Sequence, residues 1–107
     1  MSAQTKIAVL GFGGCPNTEP TLELVRRVVA SSGVAATVEQ IDVVSPEQVE
    51  RLRFLGSPTV RVNGKDIEPR ADDRTDYSFS CRIYSTASGT SGLPDELWLR
   101  QAIAGES

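Results

Sequence analysis

Two hydrophobic patterns alternate along the first part of the chain. Residues 6–10 form a short apolar run ended by Gly11, which is typical of a buried strand. Residues 18–30 place apolar side chains at helical spacing with charged ones opposite, and Gly33 suits the end of that helix. Residues 36–43 alternate well enough to predict a second strand. Together these segments predict a strand–helix–strand unit.

The alternation continues through a second helix and a hairpin. Ser45-Pro46 suits the N-cap and first position of a helix that extends to about Leu55. Residues 60–62 lead into Asn63-Gly64, which strongly predicts a two-residue hairpin that residues 65–67 complete. A strand–helix–strand crossover predicts a parallel strand pair, and the hairpin adds antiparallel strands.

The hydrophobic pattern is weak over residues 69–92 and becomes helical again in the last segment. Residues 69–76 are polar and predict a solvated loop, residues 77–84 alternate and predict a strand, and residues 85–92 predict a loop. Residues 94–103 predict a closing helix with apolar side chains on one face. The fold class is therefore α/β with a mixed sheet of about four strands, in the order β-α-β-α-β-β-α, with an extra segment before the last helix.

Composition narrows the class of protein. The 107 residues are enough for one domain, and the hydrophobic (39%) and charged (23%) fractions are ordinary for a soluble protein. The net charge of −3 argues against nucleic acid as a partner, because phosphate binding needs a basic surface. No apolar run approaches the roughly 20 residues of a membrane span, and residues 1–6 lack the basic start of an export signal. We therefore expect a cytoplasmic protein without a membrane partner.

The candidate chemistry lies in two cysteines. Cys15 follows the glycine-rich turn between the first strand and the first helix, and Cys81 lies in the extra segment. In a reducing compartment two cysteines are more often catalytic or metal-binding than a structural disulfide. The chain has no histidine, which excludes Ser-His-Asp and Cys-His catalysis and a closed four-ligand Cys/His zinc site.

The motifs around these cysteines resemble those of the thioredoxin fold in its short glutaredoxin-like form. Cys15-Pro16-Asn17-Thr18 resembles the glutaredoxin active site, with Thr18 at the position of the second cysteine of a dithiol enzyme. Gly56-Ser57-Pro58-Thr59 resembles the Gly-Ile-Pro-Thr turn of thioredoxins, which implies a cis peptide bond before Pro58. With Cys81-Arg82-Ile83-Tyr84, these motifs are also similar to small bacterial thioredoxin-like proteins with a single active-site cysteine, some of which carry alkylmercury-lyase-type names.

The resemblance covers roughly residues 6–68 and, loosely, the last helix. It implies one thioredoxin-like domain over residues 1–107, with residues 71–93 inserted relative to a minimal glutaredoxin. It also implies that Cys15 is a nucleophile and that a substrate contacts Pro16, Asn17, Thr18, Ser57, Pro58 and Thr59. The backbone of Ser57 and Thr59 would form a substrate-binding ledge beside Pro58.

The strength of Cys15 as a nucleophile depends on where the following helix begins. A helix interior does not accept Pro20, so we expect the start near Asn17 or Thr18, with Thr18 as the N-cap. Cys15 then stands outside the helix, and the effect of the helix dipole on its pKa is weak unless the turn folds back.

Several functions remain open from the residues alone. The leading hypothesis is a thiol–disulfide oxidoreductase acting on protein or glutathione-like thiols and disulfides, with no cofactor. Cys15 would act alone through a mixed disulfide or be resolved by Cys81. Cys81 is otherwise a buried small hydrophobe. The alternatives are a non-enzymatic site in which both thiols bind a soft ion such as Hg(II), Cu(I) or As(III), and a redox-inactive adaptor.

Overall fold

The computed structural model describes residues 5–106. Residues 1–4 and residue 107 lie outside that range. The expectation of no export signal depends partly on residues 1–4 and so lies outside the described residues. The elements in chain order are β1 (Thr5–Gly11), α1 (Thr18–Ser32), β2 (Ala36–Asp42), α2 (Pro46–Leu52), β3 (Thr59–Val62), β4 (Lys65–Asp66), a short 3₁₀ helix (Ala71–Asp73), β5 (Tyr84–Thr86), β6 (Gly89–Ser91) and α3 (Glu96–Glu106). The predicted order of helices and central strands is confirmed.

The central sheet is mixed, as the crossover and hairpin predicted. Its strands lie in the order β2-β1-β3-β4, with β1 parallel to β2 and antiparallel to β3. Asn63 and Gly64 both have positive φ angles, 51° and 86°, as the predicted two-residue turn between β3 and β4 requires. The antiparallel pairing of β1 and β3 brings the end of β1, at Leu10, opposite Thr59.

The helices cover both faces of the sheet. Because successive side chains of a strand point to opposite faces, β1 contributes to two clusters of buried side chains. Ile7 and Val9 belong to the cluster that includes residues of α1 and α3, whereas Leu10 belongs to the cluster that includes α2. None of the helices in the described part of the chain is long and apolar enough to cross a membrane.

The segment between β4 and α3 differs from the prediction. Residues 77–83 are not a strand, since β5 begins only at Tyr84, and Cys81 instead makes an isolated bridge with Ser57. The predicted loop over residues 85–92 contains the β5–β6 hairpin. The apolar side chains of Phe79 and Ile83 are 49% and 71% exposed, whereas Arg82 and Tyr84 are buried. The prediction failed because a paired arginine, rather than the apolar residues, faces inward.

The second helix is also shorter than predicted. It ends at Leu52 rather than near Leu55, because Arg53 adopts a left-handed conformation (φ 52°) and its N–H bonds the carbonyl of Glu50. The predicted N-cap is confirmed, since the Ser45 hydroxyl accepts a hydrogen bond from the N–H of Gln48.

Candidate functional site

Cys15 lies in a tight turn between the end of β1 and the start of α1. Its N–H donates to the carbonyl of Phe12 at 3.2 Å, and Gly14 supplies the left-handed conformation, with φ 89°. The Cys15 carbonyl in turn accepts from the N–H of Thr18 at 3.5 Å. The turn therefore folds back toward the helix and leaves the thiol partly buried at the helix N-terminus.

The helix begins where Pro20 required it to begin, but Thr18 is not its N-cap. Asn17 occupies the N-cap position without a side-chain capping bond, and Thr18 is the first helical residue. The Thr18 hydroxyl lies 3.4 Å from the hydroxyl of Ser57 instead. The reason is that Thr18 is buried against the turn of Ser57, so its side chain points to the neighbouring strand connection rather than along α1.

Hydrogen-bond donors stabilise the Cys15 thiolate. Partial burial of the thiol opposes ionisation and raises its pKa. This effect is outweighed by hydrogen bonds from the Ser57 hydroxyl, the Asn17 N–H, and the hydroxyl and N–H of Thr18, so the pKa of Cys15 is lowered from its ordinary value. The two N–H groups are among those that the first turn of a helix leaves without intrahelical partners. Donors from the turn before β3 and from the start of α1, rather than a neighbouring cation, thus favour the nucleophilic thiolate.

The close approach of these groups depends on Gly11. A Cβ atom at this position would lie 2.6 Å from the Thr18 hydroxyl oxygen and 3.0 Å from that of Ser57. Both distances are too short for a carbon atom beside fully packed groups. Only glycine at the end of β1 allows the two hydroxyls to reach the space beside Cys15.

The turn before β3 supplies one wall of the site. The Ser57–Pro58 peptide bond is cis, and Ser57 and Thr59 are fully buried. The Thr59 hydroxyl donates to the Gly56 carbonyl at 2.6 Å and accepts from Arg82 at 3.0 Å. Thr59 therefore offers no open side-chain group to a substrate. The Ser57 hydroxyl donates a hydrogen bond to the Cys15 sulfur instead of facing solvent.

Cys81 is brought to this wall by backbone pairing. The Ser57 N–H donates to the carbonyl of Ser80, and the Arg82 N–H donates to the carbonyl of Ser57, each at 2.8 Å. Cys81 is consequently the parallel partner of Ser57. Cys81 is thus paired through its backbone with the residue whose hydroxyl bonds Cys15. Both cysteines are free thiols, and Cys81 is exposed, so its interpretation as a buried hydrophobe is wrong.

The same pairing uses the backbone groups of Ser57 that the expected substrate ledge would include. The N–H and the carbonyl of Ser57 are both bonded to residues 80–82 of the chain itself. Thr59 pairs with Leu10 inside the sheet. The backbone beside Pro58 is therefore already occupied, because the extra segment runs along it.

Arg82 anchors this segment, and sequence reasoning missed it. Its side chain is 1% exposed and bonds Asp66 at 2.8 Å and Glu68 at 2.6 Å. Burial alone lowers the pKa of the guanidinium, but Asp66, Tyr84 and Glu68 raise it above its ordinary value. The guanidinium also lies 4.5 Å from the centre of the Tyr84 ring. No hydrophobic pattern signals a buried arginine, because its pairing with distant carboxylates appears only in the fold.

Other residues of the extra segment border the Cys15 turn. The rings of Phe12 and Phe79 meet edge to face, with centroids 5.1 Å apart. Gly92 packs so closely on the Asn17 amide that a Cβ there would collide with it. Pro16 is exposed at the rim. The thiol turn is thus framed on two sides by residues that follow β4.

A family profile described as a thioredoxin domain matches residues 5–67. The chain belongs to the thioredoxin domain family. The family range includes Cys15 and the turn of Ser57, Pro58 and Thr59, but it ends before Cys81. No curated protein matches the sequence. Membership in the thioredoxin domain family therefore supports a thiol redox role at the level of the family, and the contribution of Cys81 and Arg82 rests on the geometry alone.

The described residues around Cys15 do not form a cluster of metal ligands. In the part of the chain that the structure describes, no group of three or more His, Cys, Asp or Glu side chains is placed to hold a metal ion.

Proposed function

We propose that this protein catalyses thiol–disulfide exchange, with Cys15 as the attacking thiol and Cys81 as the resolving thiol. The observation that carries the proposal is the pairing of Cys81 with Ser57, whose hydroxyl bonds Cys15. Two free thiols are thereby associated with one buried serine. The lowered pKa of Cys15 distinguishes the attacking sulfur, and membership in the thioredoxin domain family supports the reaction class.

The reaction would run through two exchanges. The Cys15 thiolate attacks one sulfur of a substrate disulfide, forms a mixed disulfide and releases the first substrate thiolate. The Cys81 thiolate then attacks the Cys15 sulfur, forms the Cys15–Cys81 disulfide and releases the second substrate thiolate. Two electrons pass from the protein thiols to the substrate, and the two thiol protons go to solvent or to the released thiolates. A thiol reductant from solution restores the reduced protein by the reverse exchange.

The residues around Cys15 would stabilise the negative charge of the thiolate rather than transfer a proton. The hydroxyls of Ser57 and Thr18 and the N–H of Asn17 stabilise the thiolate before attack. The same donors stabilise Cys15 as the leaving group when a reductant opens the internal disulfide, since a thiol of lower pKa leaves faster. Pro16, exposed at the rim, would contact the incoming disulfide, and buried Pro58 would shape the wall behind it.

The occupied backbone of Ser57 favours small substrates. An extended peptide adds to a protein as a strand only where N–H and carbonyl groups are free. Here both groups of Ser57 are bonded to Ser80 and Arg82. We therefore propose small glutathione-like disulfides, which need no strand pairing, as the substrate class.

Single-cysteine variants test the proposal. Reduction of oxidised glutathione or of bis(2-hydroxyethyl) disulfide is followed with excess reductant for the wild type, Cys15→Ser and Cys81→Ser. We expect Cys15→Ser to abolish activity. We expect Cys81→Ser, treated with the disulfide substrate in the absence of reductant, to accumulate a mixed disulfide on Cys15, seen by mass spectrometry. Activity retained in Cys15→Ser, or no Cys15 adduct in Cys81→Ser, would contradict the assigned roles.

The same two thiols support one other candidate function, the binding of a soft thiophilic ion. Two thiolates suit Hg(II) or Cu(I) in linear coordination. Isothermal titration with these ions and with As(III) distinguishes this function. An affinity that falls sharply in both single-cysteine variants, in a protein without disulfide reductase activity, would favour ion binding over exchange.

A further inference from the structure

We propose that the Arg82 cluster, defined as Arg82 with Asp66, Glu68, Thr59 and Tyr84, positions Cys81 for its attack on Cys15. This inference rests on the proposed function, because it assigns the groups that hold the resolving thiol in place. Arg82 is the residue directly after Cys81. Its role would be that of a positioning residue, acting through the backbone of the extra segment rather than on the reacting sulfur atoms.

The backbone alone holds Cys81 weakly. The bridge to Ser57 consists of two hydrogen bonds, one from Ser57 to Ser80 and one from Arg82 to Ser57. On either side of Cys81 the chain is not part of a longer ladder, since β5 begins only at Tyr84. Ser80, Cys81 and Ile83 are all exposed. The packing that fixes this stretch must therefore come from its inward-facing side chains.

The inward-facing side chains are Arg82 and Tyr84, and they bond three parts of the central sheet and its turns. The Arg82 guanidinium donates to Asp66 through both terminal nitrogens, at 2.8 and 3.2 Å, and to Glu68 at 2.6 Å. It also donates to the Thr59 hydroxyl at 3.0 Å. The Tyr84 hydroxyl donates to the carbonyl of Pro58 at 2.5 Å. The segment is thus tied to β4, to β3 and to the turn that carries Ser57.

The geometry of the Arg82 cluster indicates that the cluster fixes the position of the neighbouring Cys81. A planar guanidinium held by two carboxylates and a hydroxyl fixes direction as well as distance, because each bond is directional. Among the described residues, the Arg82 Nε is the one buried side-chain nitrogen or oxygen that lacks a hydrogen-bond partner. An apolar side chain of similar volume would avoid this cost and still fill the space. The cluster therefore supplies orientation more than stability.

A second contact shows how closely the segment is held. Gly56 adopts φ 118°, and a Cβ there would lie 3.0 Å from both the Arg82 Cβ and the Ser80 carbonyl oxygen. The residues on both sides of Cys81 thus pack directly on the backbone that precedes Ser57. A displacement of Arg82 would be transmitted to Cys81 by one peptide unit.

Substitution of the carboxylate tests this role. Asp66→Asn keeps the shape of the side chain but weakens its two bonds to Arg82, and it is milder than removing the arginine. Glu96→Gln is the matched control, because Glu96 is a partly exposed carboxylate that pairs with Arg27 and Arg100, each at 2.9 Å, and neither partner bonds a member of the cluster. The primary readout is the effective concentration of the Cys15–Cys81 disulfide at equilibrium with glutathione.

We expect Asp66→Asn to lower that effective concentration about tenfold, the loss that corresponds to one charge-assisted hydrogen bond. The pH midpoint of Cys15 alkylation should stay at the wild-type value, since no group of the cluster bonds the thiol. Amide exchange should accelerate at Ser57 and Arg82, whose N–H groups close the bridge, and not at Val43, whose N–H bonds the carbonyl of Gly11 at 2.8 Å. A purely structural role would accelerate all three amides together.

Three results would overturn the inference. An unchanged effective concentration in Asp66→Asn would show that the cluster does not position Cys81, while the proposed function would stand. An equal loss in Glu96→Gln would show a general charge effect. A wild-type protein that forms no Cys15–Cys81 disulfide would overturn both this inference and the resolving role of Cys81.

Discussion

Removal of the Ser57 hydroxyl tests how Cys15 is activated. Ser57→Ala deletes the hydrogen-bond donor that does most to lower the pKa of Cys15. The substitution leaves the backbone bonds of Ser57 to Ser80 and Arg82 in place, because these use main-chain atoms. Loss of one oxygen from a fully buried position also keeps the packing of Thr18 and Pro58 close to that of the wild type.

The expected magnitude follows from the bond that is lost. A hydrogen bond to a charged group contributes about 1.5–3 kcal/mol, and the partial exposure of Cys15 argues for the low end of that range. This loss corresponds to about a tenfold smaller thiolate fraction near neutral pH. The remaining thiolate is more basic and about threefold more nucleophilic, since reactivity rises with roughly the square root of basicity. Net alkylation at neutral pH should fall about threefold.

The assay is the rate of iodoacetamide alkylation against pH, in the Cys81→Ser background so that only Cys15 reacts. Ser57→Ala should be slower than its parent near neutral pH and faster on the alkaline plateau, so the two profiles cross. Ser78→Ala is the matched control, because its hydroxyl bonds Ser80 on the exposed surface and should leave the profile unchanged.

Crossing profiles are the decisive feature. A uniform loss of rate at every pH would indicate altered access to Cys15 rather than altered ionisation. Identical profiles for Ser57→Ala and its parent would refute the claim that the Ser57 hydroxyl stabilises the thiolate.

Three further outcomes follow from the same contacts. Gly11→Ala places a Cβ against the hydroxyls of Thr18 and Ser57 and should cost about 1–3 kcal/mol in urea unfolding with slower Cys15 alkylation; unchanged values for both would contradict the packing argument. Tyr84→Phe leaves the buried carbonyl of Pro58 without its donor and should cost about 1–3 kcal/mol in the same assay, and a neutral result would remove Tyr84 from the anchor. Because folding lowers the pKa of Cys15, its thiolate stabilises the reduced protein above the unfolded-state pKa, and this contribution is lost as pH falls through the folded-state pKa. In the Cys81→Ser background, the free energy of unfolding of the parent relative to Cys15→Ser should therefore rise with pH across that window, and parallel pH profiles would contradict it.

Local sequence patterns were sufficient to predict the fold of residues 5–67, the part of the chain that the thioredoxin domain profile matches. The apolar run of β1, the capping residues of α2 and the Asn63-Gly64 turn each depend on a few neighbouring residues, and their elements are confirmed. The position of Cys15 before α1 also followed from local chemistry, because Pro20 limits where that helix begins.

The remainder depends on contacts between distant residues. Arg82 is buried because Asp66 and Glu68 meet it, and nothing in the alternation of residues 77–84 indicates such a partner. The role of Ser57 as a donor to Cys15 likewise depends on the end of β1 and the turn before β3 lying side by side. Sequence reasoning placed Thr18 at the N-cap because it considered only the helix, and the hydroxyl instead lies against Ser57.

The most direct test of the two-thiol site is a disulfide map of the oxidised protein. Reduced protein is equilibrated with oxidised glutathione, alkylated to block free thiols and digested for mass spectrometry. We predict one intramolecular disulfide that joins Cys15 to Cys81 in the monomer. Glutathione adducts on both cysteines, or disulfide-linked dimers with no internal bond, would contradict the assignment of the two thiols to a single site.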